Sequence, residues 1–200
     1  EELSEGVENI ALGGYVEPNI RASAGDTYPT IYGNQYAHPK DENGDPIMDQ
    51  VLVDEDPDSY YYGMPLIGDF GKIGDVSPNF ILSFTNTFTF FKMLTLGVQL
   101  DWKDGGQMYS GSNRLTRLYG ASAETEDRET PYIFGGQTSQ DGVTNICPDL
   151  EAVKADGTPN DIVRGGVDDF YAYPDLYNDV FGSMSESNIW ETSFVKIRDI

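Results

Sequence analysis

The chain is poor in several residue types at once, with a single cysteine, a single histidine, few basic side chains and no long apolar run. One thiol, Cys147, can form no internal disulfide and no multi-cysteine metal site, so it is read as incidental. His38 precedes Pro39 in a turn-like stretch with no nucleophile elbow beside it, which gives a Ser-His-Asp arrangement no support. Basic residues number 12 against 34 acidic ones, a net charge of −22, which excludes the usual electrostatic nucleic-acid surface and argues against a hold on anionic head groups. The absence of an apolar run of about 18 residues excludes a transmembrane helix but leaves a membrane barrel open. No leader is legible at Glu1-Glu2-Leu3 and Ile200 falls within a strand pattern, so both ends are expected to be cut edges of a longer chain.

What the chain does have is aromatics, 13 Tyr and 10 Phe, enough to build a core within 200 residues. It also has two runs in which large apolar and small polar residues alternate. In the first, Phe80, Leu82, Phe84, Phe88 and Phe90 alternate with Ile81, Ser83, Thr85, Thr87 and Thr89. In the second, Leu94, Leu96, Val98, Leu100 and Trp102 alternate with Thr95, Gly97, Gln99 and Asp101. A period of two is the mark of a strand with one apolar and one polar face.

Both runs keep their bulk at even positions. Opposed residues of an antiparallel pair share a face, so their numbers must sum to an even value, and the three-residue turn Phe91-Lys92-Met93 satisfies this. The expected pairs are Phe90 with Leu94, Phe88 with Leu96, Asn86 with Val98, Phe84 with Leu100 and Leu82 with Trp102. The apolar side carries no Lys or Arg, which near a bilayer midplane would cost about 2–4 kcal/mol, and Asn86 is its one polar member. Eleven residues at about 3.3 Å each, tilted by about 40°, rise roughly 25 Å, the apolar height of an outer-membrane barrel. Two architectures fit: a membrane barrel with these side chains toward lipid, or a secreted soluble β-sandwich, a carbohydrate-binding or adhesion module, with them in its core.

The connections favour the barrel. One end of the hairpin closes in three residues, while no comparable alternation returns until Phe194-Val-Lys-Ile-Arg-Asp-Ile200. An interval of roughly 90 residues, rich in turn formers such as Gly105-Gly106, Gly135-Gly136 and Gly165-Gly166, is too long for an ordinary loop and is expected to be a folded extracellular excursion. Upstream, residues 1–27 are expected to be loop leading into extended structure, with short apolar stretches at Ile10-Ala-Leu12 and Tyr15-Val16 and Pro18 interrupting any strand. Tyr28 to Tyr36 and Ile47 to Val53 flank Asn43-Gly44, a hairpin signal. The acidic stretch 54–63 mimics a calcium loop at Asp54, Asp56 and Asp58, but Pro57 intervenes, Ser59 replaces the glycine and Pro65 stands where the bidentate Glu belongs. A solvated turn is the expectation there, with no metal and no cofactor. No pair among the acids is singled out for glycoside cleavage, and no enzymatic activity is expected.

The order of these pieces resembles the SusC/RagA family of TonB-linked outer-membrane proteins. Ile73-Gly-Asp-Val-Ser-Pro-Asn-Phe80, the Phe91-Lys92 turn, a second strand ending in Asp101, and Gly105-Gly106 with Tyr109 are similar to that family's Gly-Asn/Asp-x-x-Pro-x-Phe, Tyr/Phe-Lys and Gly-Gly-x-x-Tyr succession. Asp41-Glu-Asn-Gly-Asp-Pro-Ile47, Tyr132-Ile-Phe-Gly-Gly136 with Asp141-Gly-Val-Thr-Asn145, and Thr192-Ser-Phe-Val-Lys-Ile-Arg-Asp-Ile200 resemble further family segments, so the likeness spans about residues 28 to 200. Phe91 stands where Tyr is usual, and Asp75 where Asn is commoner.

The resemblance implies an all-β fold: a fragment of an antiparallel transmembrane barrel of about 22 strands, with a long extracellular loop. It divides the chain into barrel strands and an extracellular hairpin (1–72), a transmembrane hairpin (73–104), the long loop (105–192) and the start of the next strand (193–200). It implies an importer of oligosaccharides or peptides in the cell outer membrane, partnered by a SusD-like lipoprotein and by TonB through a region outside this segment, without nucleic acid. Lipid would face Phe80, Leu82, Phe84, Phe88, Phe90, Leu94, Leu96, Val98, Leu100 and Trp102, with Trp102 at the wet edge of the apolar band. Because sugars stack on rings and bond to polar side chains, the candidate substrate contacts on the loop are Tyr109, Arg114, Arg117, Tyr119, Tyr171 and Tyr173.

Overall fold

A computed structural model describes residues 9–14, 17–136 and 140–199. The chain is mostly strand, 44% against 14% helix, and so all-β in class. It divides into two compact units. The first comprises residues 1–32, 72–109 and 189–200, and the second residues 33–71 and 110–188.

Strands β1 (Asn9–Gly14) and β2 (Asn19–Ser23) pair antiparallel, and β2 pairs with β3 (Thr30–Tyr36). The expected N-terminal loop is therefore a hairpin: Pro18 sits in the connection, where its missing N–H costs no ladder bond, and Ile10-Ala-Leu12 lies in β1. Tyr15 and Val16 lie outside the described residues.

After β4 (Gln50–Leu52), which belongs to the second unit, and β5 (Ile67–Asp75), which runs from the second unit into the first, come the dominant strands of the first unit, β6 (Pro78–Phe90) and β7 (Leu94–Gly105). Their register contains all five expected apolar pairs, from Leu82 opposite Trp102 to Phe90 opposite Leu94, and on the other face Ser83 opposite Asp101, Thr85 opposite Gln99 and Thr89 opposite Thr95. The turn is the expected Phe91-Lys92-Met93, with both Phe91 (φ 53°) and Lys92 (φ 58°) left-handed, the twist a tight hairpin needs. Among the described residues no second layer covers the apolar face: Phe84 keeps 56% of its surface exposed, Leu94 64% and Phe91 at the turn 93%.

After β7 the chain leaves on β8 (Gln107–Tyr109) and returns on β13 (Ile189–Glu191), which pair antiparallel. Gly105 and Gly106 both adopt positive φ, which lets the chain break from β7 without side-chain strain. The Gly105 N–H donates to Ser193 Oγ at 2.7 Å and the Thr192 N–H donates to Gly106 O at 2.8 Å, tying exit to return. Strand β14 (Phe194–Asp199) then pairs antiparallel with β7, giving the order β14-β7-β6. Val195 and Ile197 extend the apolar face beside Trp102 and Leu100, while on the polar face Arg198 makes an ion pair with the buried Asp101. Ile200 lies outside the described residues.

The second unit is a folded body with its own short elements: α1 (Gly111–Leu118), β9 (Tyr132–Phe134), β10 (Thr144–Ile146), β11 (Glu151–Val153), β12 (Val163–Arg164) and the helical run 172–183. Strand β9 reads Tyr-Ile-Phe and is buried throughout, as a central strand covered on both sides must be, with β10 parallel on one edge and β12 antiparallel on the other. The segment 33–71 groups with this body. The Asn43-Gly44 turn forms as expected, with the Gly44 N–H donating to Asp41 O and Lys40 bridged antiparallel to Pro46; beyond it the Leu52 N–H donates to Ala37 O, while β4 pairs parallel with β11. The reason is burial: Val51 and Val53 reach the core with Met64, Phe134, Ala152, Leu176 and Phe181. Buried Asn160 is satisfied by donating to Phe134 O and accepting from the Ile162 N–H, and buried Asn188 donates to Phe181 O and Met184 O.

Phe134 is fully buried between Tyr36 and Phe181, with ring centroids 6.3 and 6.2 Å away. Phe134→Ala is expected to destabilise this unit by about 3–5 kcal/mol, measured as a lowered midpoint of its unfolding transition in urea.

Candidate functional site

A cleft of about 360 Å³ opens in the second unit between the end of α1 and the helical run 172–183. Helix α1 begins at Ser110, whose Oγ accepts from the Asn113 N–H, and ends in a left-handed glycine. There the Gly120 N–H donates to Arg117 O and the Ala121 N–H to Thr116 O, which satisfies two carbonyls of the last turn. Gly120 has φ +65°, and a Cβ on it would overlap Nη2 of Arg128. The bare backbone thus lets that guanidinium lie along the helix end, with Nε donating to Thr125 O at 2.8 Å and Nη2 to Gly120 O at 3.4 Å.

The opposite wall is the helical run, in which a π turn at Leu176–Val180 inserts an extra residue. Tyr173 and Tyr177 lie nearly parallel (9°) with centroids 6.1 Å apart, and Pro174 and Asn178 sit next to them on the cleft. Such π turns recur where a helix presents side chains to a ligand.

Three of the six expected contacts, Arg117, Tyr119 and Tyr173, line this one cleft. Their availability differs. Tyr119 is 78% exposed, whereas Tyr173 is 4% exposed and packs edge-on against Tyr132 at 4.7 Å, so it supplies a floor rather than a stacking face. Arg117 is spent on the fold: Nε and Nη2 bind Glu124, Nη1 donates to Ser187 O, and the guanidinium lies 5.2 Å from the Phe181 ring centre. Arg114 lines none of this cleft, and its Nε donates to Gly182 O at 2.6 Å. Tyr171 is exposed against Phe170 and lines none of this cleft. Tyr109 belongs to the first unit, opposite Ile189, in a separate apolar cleft of about 290 Å³ beside Pro18 and Met108.

Sequence reasoning passed over Arg128, Gly120, Thr125, Tyr177 and Asn178. A Ser N-cap followed nine residues on by Tyr-Gly would have exposed α1 and its glycine stop. Nothing in the linear pattern marks Arg128.

A second cluster surrounds the lone histidine. His38 is buried, and its Nδ1 lies 2.6 Å from Gln50 O, so Nδ1 must carry the proton. Nε2 faces Glu186 Oε1 at 3.5 Å, too long for a good hydrogen bond but close enough for an ion pair, and Glu186 Oε2 accepts from the Tyr36 N–H. The carboxylate beside it raises the His38 pKa above its usual value, against the opposing effect of burial. Burial likewise pushes the Cys147 thiol up to about 11, which leaves it protonated and unreactive at neutral pH. Asp54 and Asp56 accept from the N–H groups of Asp56 and Asp58 in successive turns. No protein-family model matches the chain, and no curated protein matches it significantly.

Two outcomes follow. A histidine with a raised folded pKa contributes stability that is full below about pH 6.5 and is lost as pH rises through the folded value. Unfolding midpoints in urea should therefore fall between pH 6 and 8, and His38→Gln should flatten that slope. Gly120→Ala should cost about 1–2 kcal/mol through left-handed strain and dislodge Arg128, seen as loss of its Nε proton signal by NMR.

Proposed function

We propose that this chain is a stretch of a TonB-dependent outer-membrane importer of the SusC/RagA type, a piece of its barrel with one large extracellular excursion. The observation that carries the reading is the uncovered apolar face of β6, β7 and β14. Ten sequence-expected lipid contacts share it, joined by Val195 and Ile197, and large side chains along it stand about half exposed. Burying the remainder is worth about 1 kcal/mol per side chain, on the order of 10 kcal/mol in total, and acyl chains supply that burial without a second protein layer. The opposite face carries Thr, Ser, Gln and the Asp101–Arg198 pair, groups at home in a hydrated lumen.

Connectivity supports the same reading. Neighbouring strands β6 and β7 join by a three-residue turn, whereas neighbours β7 and β14 join through the whole excursion, the short-turn and long-loop alternation of outer-membrane barrels. Both outer edges of the ribbon lack partners among the described residues, as expected where further strands continue a barrel. A soluble sandwich would need an apolar layer over the phenylalanines. Within this reading the substrate is an oligosaccharide or peptide, a SusD-like lipoprotein is the surface partner, TonB engages outside this segment, and no catalysis is assigned.

Single cysteines placed along β6 of the full-length protein, in a Cys147→Ser background, test this. In native membranes, cysteines at Leu82, Phe84 and Phe88 should resist a water-soluble maleimide and accept a lipid-phase one, while Thr85 and Thr87 should show the reverse. Uniform aqueous labelling of both sets, or a protein that stays monodisperse without detergent, would overturn the proposal.

A further inference from the structure

The cleft between α1 and the π turn is lined by two arginines and no carboxylate, in a chain where acids outnumber bases 34 to 12. Of the two, Arg117 is neutralised by Glu124. Arg128 has only carbonyl partners, Thr125 O and Gly120 O, and forms no ion pair with a carboxylate among the described residues. The adjacent Asp127 is turned to its own backbone, accepting from the Glu129 and Thr130 N–H groups. Around Arg128 stand an exposed ring, Tyr119, and an exposed amide, Asn178, whose side chain makes no hydrogen bond among the described residues.

We propose that this cleft binds a carboxylate-bearing, hydroxylated ring, a sugar acid of the uronate class. The guanidinium pairs with the carboxylate, Tyr119 stacks on the ring's apolar face, and the Asn178 amide meets ring hydroxyls at more than one angle. A volume of about 360 Å³ falls at the lower end of the range for small-ligand sites, roughly 300–1,000 Å³, which suits one or two sugar rings rather than a long polymer segment. An acidic peptide fits less well, because the walls are helix ends and a turn and offer no free strand edge for a peptide backbone. This goes beyond the importer reading and does not rest on it: binding is measured directly, and its failure leaves the labelling pattern of β6 untouched.

The experiment is calorimetric titration of the purified full-length protein with digalacturonate, its dimethyl ester and an acidic tripeptide. Digalacturonate should bind, the ester should bind at least tenfold more weakly, and the tripeptide should not compete. Arg128→Ala should weaken digalacturonate about 10- to 100-fold and leave the ester nearly unchanged. Because Arg128 also holds two carbonyls, Asn178→Asp provides an arm on an exposed side chain. It should weaken the acid about tenfold, more at low salt than at high, and the ester little. Equal affinity for acid and ester, tighter binding of the tripeptide, no binding at all, or an Asn178→Asp variant indifferent to ligand charge would overturn the proposal.

Discussion

The face of β6, β7 and β14 that no layer of described residues covers sets the terms for the rest of the first unit. In water a ribbon of two or three strands with both faces open is marginal at best, because each exposed ring and branched chain forgoes the transfer free energy that would hold it. The parity of the sequence leaves no freedom to relieve this by slipping, since a one-residue shift would turn every phenylalanine to the polar side and every threonine to the apolar one. The ribbon is therefore specified strongly in register and left dependent on its surroundings for burial. A medium that is itself apolar meets that need, and the apolar face, without charge from Leu82 to Trp102, is compatible with one.

The excursion between β7 and β14 poses the opposite problem. Closing a flexible segment of roughly 90 residues costs about 4 kcal/mol in chain entropy, besides the ordering of the residues within it. The neck meets part of this cost locally, through the β8–β13 ladder and the clamp of Gly105-Gly106 on Thr192-Ser193. The body meets the rest by building a true core, in which Val51 and Met64 from the earlier segment pack with Phe134, Leu176 and Phe181. A segment that can bury itself in this way can carry a shaped cleft, where an unstructured loop could present only side chains.

That cleft shows what physical competition does to candidate residues. Arg114 and Arg117 have the chemistry to bind a sugar or a carboxylate, but Arg114 lies off the cleft against Gly182 O and Arg117 is paired with Glu124. Tyr173 has the ring, but the core takes it. Tyr119 and Arg128 remain available because one stands at the exposed helix end and the other finds only neutral carbonyls.

Alternation of residue size along 80–102 determined the hairpin, its turn and its register, because a strand's two faces are written directly into odd and even positions. The Asn43-Gly44 turn, the long folded excursion and the return at Phe194 were legible for similar local reasons. The partnership of 33–71 with 110–188, the parallel pairing of β4 with β11 and the assembly of Arg128, Gly120, Tyr119 and Asn178 into one cleft were decided only by the tertiary structure. Those contacts join residues far apart in the chain, and their energy comes from shared burial, which no periodicity along a single segment encodes.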